Sequence, residues 1–362
     1  MGMKIISTPL ESTFRGWGAD FLEMDHIRLP LRVAGAGPEY EAARTSTMLA
    51  DGGDRSWIEM SGFDLVDFLQ RILSSDISKL DVGGGQWSAM LDGKGHWIAD
   101  LLLFRLNAPE GEMRIGLDMP TECYRNLLEK IEMYHFAEDL EWLTPEPTRL
   151  LLLGPNAITM AQTVTGLQLA ENENFTSVRN EVITLLRRPD RGVDCAEILG
   201  PEKEVVALAN QLREQGAVPG GWVALDILRV EAGRPRWGSD FDQHVTLPAS
   251  NEWHRASITK GCYAGQEVVA KINTYGESPR QLCALRFEGP PRPLIGAEIH
   301  DEGGHKMGRV TSWVWSPQGN CAVGLGMLRR RIAVNGSEVQ AIDPNDGTTV
   351  TATVAVPEKV FG

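Results

Sequence analysis

Residues 81–106 read DVGGGQWSAMLDGKGHWIADLLLFRL. Two runs of β type flank Asp92-Gly93-Lys94-Gly95, where the glycines can adopt the positive φ values that a tight hairpin demands. The stretch therefore predicts an antiparallel pair. Its second run is apolar on both faces except for Asp100. That carboxylate stands either at a solvated strand end or where a ligand needs it, because burying an unpaired charge is costly.

Working outward, RSWIEM reads as a short strand and SGFDLVDFLQRILSSDISKL as an amphipathic helix. In that helix Leu65, Phe68, Leu69, Ile72 and Leu73 recur at helical spacing, and Ser61 or Asp64 can cap its start. A second helix is expected from about Thr121 to Tyr134, with Tyr124, Leu127, Leu128 and Ile131 on one face. TPEPTR, residues 144–149, is a proline-punctuated boundary; RLLLLGPNA reads as a buried strand ended by Gly154-Pro155 and followed by a short helix. ENENFTSVRN, 171–180, reads as polar loop. Next come EVITLLRR, a turn, a strand in CAEILG, and the helix EKEVVALANQLREQG with Val205, Leu208, Ala209 and Leu212 inward. The helix GWVALDILRVEAG stops at Gly233. This order lacks regular βαβ alternation, so the expected fold class is α+β with largely antiparallel sheets.

Past Pro279 the texture changes. QLCALRFEG, AEIHD, KMGRVTSWVWS, CAVGLGMLRR and TTVTATVAV are strand-like runs separated by GPPRP, EGG, PQGN and DPNDG. They predict a small all-β barrel or jelly roll of about 80 residues.

The 362 residues exceed the usual size of one core, so two or three domains are expected. Apolar residues at 42% and charged ones at 23% are ordinary for a globular protein. With 49 Asp plus Glu against 35 Lys plus Arg, the net charge of −14 repels a polyphosphate backbone, and the runs Arg187-Arg188 and Arg329-Arg330-Arg331 are too short to reverse it. No nucleic-acid partner is expected. The opening MGMKIISTPLESTFRGWG has neither an apolar signal core nor an Arg-rich amphipathic pattern, and no apolar run approaches the ~20 residues of a membrane span. The expectation is a cytoplasmic protein with no membrane partner. Cys123, Cys195, Cys262, Cys283 and Cys321 form no CxxC pair, and the seven histidines show no ligand spacing, so no metal site is expected.

One segment concentrates chemistry. KGCYAGQE, 260–267, sets a thiol between a lysine, two glycines and a tyrosine. A cation near Cys262 would favour its thiolate, and Gly261 and Gly265 permit backbone shapes that present a reactive sulfur. The alternative is a small buried hydrophobe at a crowded turn, since free cysteines are among the most buried residues. Upstream, RVEAGRPRWGSDFD places Arg229 and Glu231 at a helix end before a loop rich in Gly, Trp and Asp. That mixture suits a polar aromatic ligand, or equally a salt-linked helix end. Trp237 can stack on a ring or simply fill space, and His254 reads as solvent-facing or structural.

KGCYAGQE together with RVEAG resembles the signature of the YgfZ-type folate-binding proteins, a branch of the aminomethyltransferase (glycine cleavage T protein) superfamily. FRGW, ARTSTML, FLQRILSSDISKL, LLGPNA and GRVTSWVWS resemble that superfamily's segments in the same order. The resemblance implies a three-lobed fold around a central channel that accepts tetrahydrofolate. The lobes would be 1–50 with 148–278 for folate, 51–147, and a barrel at 279–362. It also implies a role in the synthesis or repair of iron–sulfur enzymes, with those enzymes or their assembly proteins as partners. Cys262, Lys260 and Asp100 are then the reactive groups, and Glu197, Arg229, Glu231, Tyr263 and Gln266 the folate-side residues. The superfamily's transferases carry an Asp-Asp pair after the glycine hairpin; here Ala99 takes the first place and Asp100 the second. A pterin-site arginine falls on Leu225. Two alternatives follow: a folate-dependent methyl or aminomethyl transferase acting on a small amine, and a non-catalytic folate-sensing module that docks a partner through Trp313 and Trp315.

Overall fold

Gly95 takes φ +77° and closes the hairpin between the strands Gly85–Leu91 and Trp97–Leu106. Asp92 holds the turn, its Oδ1 accepting from the Lys94 and His96 backbone N–H groups at 2.8 and 2.9 Å. The computed structural model that shows this describes residues 5–24, 26–109, 112–170, 175–188, 190–276 and 278–357.

The hairpin belongs to a five-stranded sheet continued by Arg114–Pro120, Arg55–Ser61 and Glu141–Leu143, antiparallel along the pairs described. A six-stranded sheet runs Thr176–Arg179, Thr184–Arg187, Cys195–Gly200, Thr148–Leu153, Met48–Asp51, Val218–Pro219. Only its last pairing is parallel. A small sheet joins Ile6–Ser7, Ile27–Arg32 and Asp20–Met24. The fold is thus mixed α and β with largely antiparallel sheets, as expected.

Beyond Pro279, the strands Arg280–Phe287, Cys321–Arg329, Lys306–Ser316, Glu298–His300, Glu338–Ile342 and Thr349–Ala355 close a six-stranded barrel in that order. Cys283, Leu285, Phe287, Ile299, Val310 and Leu328 fill its interior. Trp313 and Trp315 pack against this core and are half-buried, not a free aromatic patch. Closure removes the open sheet edges that a flat arrangement would leave.

The chain divides into two compact units. One is Met1–Leu69, Ile77–Trp87 and Leu101–Leu228; the other is Gln70–Asp76, Ser88–Asp100 and Arg229–Gly362. Residues 70–76 and the hairpin tip, residues 88–100, fall in the second unit with the C-terminal part. In the first unit, Leu10, Phe14, Leu49, Leu152, Ile198 and Leu212 form a core under the helices Ala157–Thr165 and Glu202–Glu214.

Several local expectations change. The helix in 61–80 spans only Leu65–Ile72, with a single 3-10 turn at Ile77–Lys79. The helix Thr121–Tyr134 buries Cys123, Leu127 and Ile131, while Tyr124 and Leu128 are half-exposed beside that stripe. Thr176–Arg179 is a strand, since its backbone pairs with Thr184–Arg187; residues 171–174 of the expected loop lie outside the described set. The helix Gln266–Tyr275 and the strand Glu338–Ile342 were not visible in the sequence pattern.

Candidate functional site

Cys262 stands exposed between two buried anchors. Lys260 on one side is 8% exposed and Tyr263 on the other 7%. The loop that carries them runs into the helix Gln266–Tyr275 through Gly265, whose φ of +82° favours glycine. A Cβ at Gly265 would stand 2.6 Å from the Asp92 carbonyl oxygen, so hairpin and loop approach each other backbone to backbone there. Gln266 locks the loop from within, its Nε2 donating to the Lys260 carbonyl at 3.2 Å.

The Lys260 ammonium is held by backbone carbonyls. Nζ donates to the carbonyl oxygens of Gln70, Leu73 and Ser75 at 2.8, 2.5 and 2.8 Å. Those groups lie at and just past the C-terminal end of the helix Leu65–Ile72, where carbonyls lack intrahelical partners and a cation is favourable. All three N–H donors of the ammonium are thereby used. Burial pulls Lys260 down to about 8, with Asp76 acting the other way. The side chain thus ties the loop to residues 70–75. Its nitrogen also lies 5.1 Å from the centre of the Tyr263 ring. The Tyr263 hydroxyl is buried without a hydrogen-bond partner among the described residues, and burial pushes it up to about 12.

All five cysteines are free thiols. Cys123, Cys195 and Cys283 are buried and Cys321 is half-buried, so Cys262 is the exposed sulfur among them. Burial raises both Cys195 and Cys283, the latter to about 12. The reading of Cys262 as a buried filler is thereby corrected: the anchors on either side force its side chain outward.

Asp100 is 4% exposed and accepts from Arg255 Nη1 at 2.5 Å, while Arg255 Nε donates to Glu252 Oε2 at 2.8 Å. Its charge is compensated, as burial requires. Arg255 also lies over the Trp97 ring, 5.7 Å from the centroid. His254 is half-buried rather than solvent-facing; desolvation, with Arg255 and Arg234 nearby, lowers it to about 3 and keeps it neutral. Ala99 is fully buried.

Arg229 and Glu231 make a bonded helix end. Arg229 Nη1 reaches Asp240 Oδ2 and Nη2 reaches Ser312 Oγ, each at 2.9 Å. Glu231 Oε1 accepts from Ser316 Oγ at 2.5 Å. Trp237 is buried edge-on against Phe241, with centroids 5.6 Å apart.

Glu197 lies in the other unit, fully buried on the strand Cys195–Gly200. Oε1 accepts from Arg149 Nε at 2.7 Å and Oε2 from Arg188 Nη1. Arg149 and Arg188 also pair with Asp118, which Arg55 reaches at 2.6 Å. Although burial opposes it, Arg149 and Arg188 hold the Glu197 carboxyl below its ordinary range, and Arg188, Arg55 and Arg149 do the same for Asp118. Arg149 Nη1 is buried with no hydrogen-bond partner among the described residues. Leu225 is buried.

Sequence reading found neither Arg149 nor Arg188 as Glu197's partners, nor Arg255 as that of Asp100. Their separations, 48, 9 and 155 residues, leave no local pattern to read. Among the described residues no group of His, Cys, Asp and Glu is arranged for a metal ion, and no helix is long and apolar enough to cross a membrane.

The chain matches the family model of the GCVT N-terminal domain over residues 10–251 and that of the glycine cleavage T-protein C-terminal barrel domain over 280–361. It is 25% identical to an aminomethyltransferase of Halalkalibacterium halodurans, and the match covers 92% of each chain. Its identity to one of Bacillus cytotoxicus is 27%, again with 92% of each covered. The crystal structure of the glycine cleavage system aminomethyltransferase T from Bartonella henselae superposes with a TM-score of 0.87 at 23% identity, covering 99% of this chain and 98% of that one, and so shares its fold. A two-domain match over most of its length, joined to an antiparallel α and β fold ending in a closed barrel, makes this chain a member of the glycine cleavage T-protein (GCVT) family.

Proposed function

We propose that the protein binds tetrahydrofolate and supports the synthesis or repair of iron–sulfur enzymes, in the manner of the YgfZ-type branch, with Cys262 as its reactive group. The observation that carries this reading is the exposure of Cys262 between the buried Lys260 and Tyr263. A loop this firmly anchored presents a thiol at a defined place, which a mere space-filling residue does not need. The family and its aminomethyltransferase relatives supply the folate half. The Tyr263 hydroxyl, a buried polar atom with unused capacity, fits a polar heterocycle better than an apolar ligand. Gln266 is the further folate-side residue in this reading. Glu197 orients Arg149 within its own unit, where Arg149 Nη1 has no hydrogen-bond partner among the described residues. Bound folate would carry a one-carbon unit; the protein residues orient it and exclude water.

The test joins two measurements: calorimetric titration with tetrahydrofolate, and rescue by Cys262→Ser of a strain that depends on this protein for iron–sulfur enzyme activity. Saturable binding with failed rescue is expected. Absent binding removes the folate half, and full rescue removes the thiol's role.

A second reading is a folate-dependent aminomethyl or methyl transferase acting on a small amine, which the names of the relatives favour. It makes Asp100 and Glu197 the acidic groups, although Arg255 already bonds the first and Arg149 and Arg188 the second. Turnover of a methylated amine with tetrahydrofolate, lost in Asp100→Asn, would establish it.

A further inference from the structure

Basic side chains of the barrel commonly have carboxylate partners. Arg292 reaches Asp343 and Asp346, Arg331 reaches Asp301, and Lys306 reaches Glu298. Arg280, Arg309 and Arg329 make no ion pair among the described residues, and all three are exposed. Their strands, Arg280–Phe287, Lys306–Ser316 and Cys321–Arg329, are neighbours, with the last in the middle. Arg280 is the direct cross-strand partner of Arg329. Arg309 is the partner of Met327, two residues before Arg329 and so on the same face.

Like charges placed opposite each other weaken a sheet. Here Arg280 and Arg329 are so opposed, and Arg309 joins them on the same face with Met327 and Glu298 as its direct cross-strand neighbours, in a chain with 49 acidic residues against 35 basic ones. They line a cavity of about 210 Å³ together with Lys306, Met307 and Met327, and no carboxylate lines it. At Gly308 the wall is bare backbone: a Cβ there would stand 2.3 Å from the Met327 carbonyl oxygen. A local arrangement that opposes stability and leaves its donors open is the signature of a ligand site.

We propose that this outer face of the barrel binds a phosphate-bearing small molecule, a phosphomonoester or a diphosphate. Guanidinium forks match phosphate oxygens bidentately, and the terminal oxygens of a phosphate can accept from several forks at once. A lone carboxylate has only two oxygens to share among three arginines. The cavity is small for a nucleotide but admits a phosphate with a short organic group, for which the two methionines form an apolar wall.

The test is calorimetric titration of the full chain at low ionic strength with inorganic phosphate, pyrophosphate and glycerol phosphate. Succinate and an acidic peptide serve as carboxylate comparisons. Saturable binding of at least one phosphate is expected, tighter than either comparison. Arg280→Gln and Arg329→Gln should each weaken it about tenfold or more, as removal of a charge-assisted fork does. The melting temperature of each variant should be unchanged or higher, because a like-charge opposition is relieved. Preference for glycerol phosphate assigns the site to an ester, and equal binding of inorganic phosphate assigns it to the phosphate group itself; both support the proposal. It is overturned if no phosphate binds, if both variants bind like the parent, or if the acidic peptide binds more tightly than every phosphate.

Discussion

Lys260 donates from Nζ to the carbonyl oxygen of Gln70 at 2.8 Å, across 190 residues of chain. With Leu73 and Ser75 as its other acceptors, the lysine closes the end of the helix Leu65–Ile72 from outside. Lys260→Met should therefore lower stability by about 2–4 kcal/mol, since several carbonyls lose a charged donor and only part of that loss is recovered from water. Equilibrium denaturation measures it. Lys260→Arg should recover little, because a planar fork cannot reach three carbonyls arranged for a compact ammonium. Protease should also cut the Lys260–Gly265 loop faster in Lys260→Met.

That relationship marks where sequence reading stops. Local patterns were legible: the glycine hairpin at 92–95, the helix Thr121–Tyr134, and the turn-separated runs of the barrel depend on neighbours a few residues apart. The anchors of the site do not. In sequence Lys260 stands two residues from Cys262, whereas its acceptors come from residues 70–75. Arg187-Arg188 is in sequence only a short basic run, yet Arg188 is fully buried among Asp118, Asp190 and Glu197. A charge pattern in sequence carries no information about burial until the sheet that gathers the partners is known.

Exposure at Cys262 gives a labelling prediction. A bulky maleimide added to the folded protein should modify this thiol first, giving a single adduct by mass spectrometry, and Cys262→Ser should nearly abolish the fast phase. Cys195 and Cys283 are buried and raised, so they should react only when denaturant opens the fold. Rapid modification at Cys195 or Cys283 would contradict the burial described.

Asp51 sets a pH dependence of its own. Burial raises this carboxyl from an ordinary 3.8 to about 7, even though Thr8 Oγ1 donates to it at 2.5 Å and the Gly53 N–H at 2.9 Å. Between those values the folded chain holds a proton that the unfolded chain releases, so this group's contribution is complete below about 4 and is lost as pH rises through 7. Asp51→Asn cannot ionise. Compared with the parent, the variant should be equally stable at pH 4 and gain about 1–3 kcal/mol by pH 8. Denaturation midpoints across that range supply the check.

Glu197 behaves in the opposite sense. Its folded carboxyl is lowered by Arg149 and Arg188, so its stabilising contribution is present above the ordinary carboxylate range and is lost as pH falls through the depressed folded value. Glu197→Gln removes the charge while keeping the shape. It should cost about 3–5 kcal/mol at neutral pH, because two buried guanidinium groups lose a charged acceptor and keep only Asp118 and, for Arg188, Asp190. The penalty should shrink under acid conditions, where the parent loses the same charge. A residue that only touched folate would instead change affinity and leave the melting temperature in place. A large fall in stability, seen with and without tetrahydrofolate, therefore separates the buried ion network from direct ligand contact.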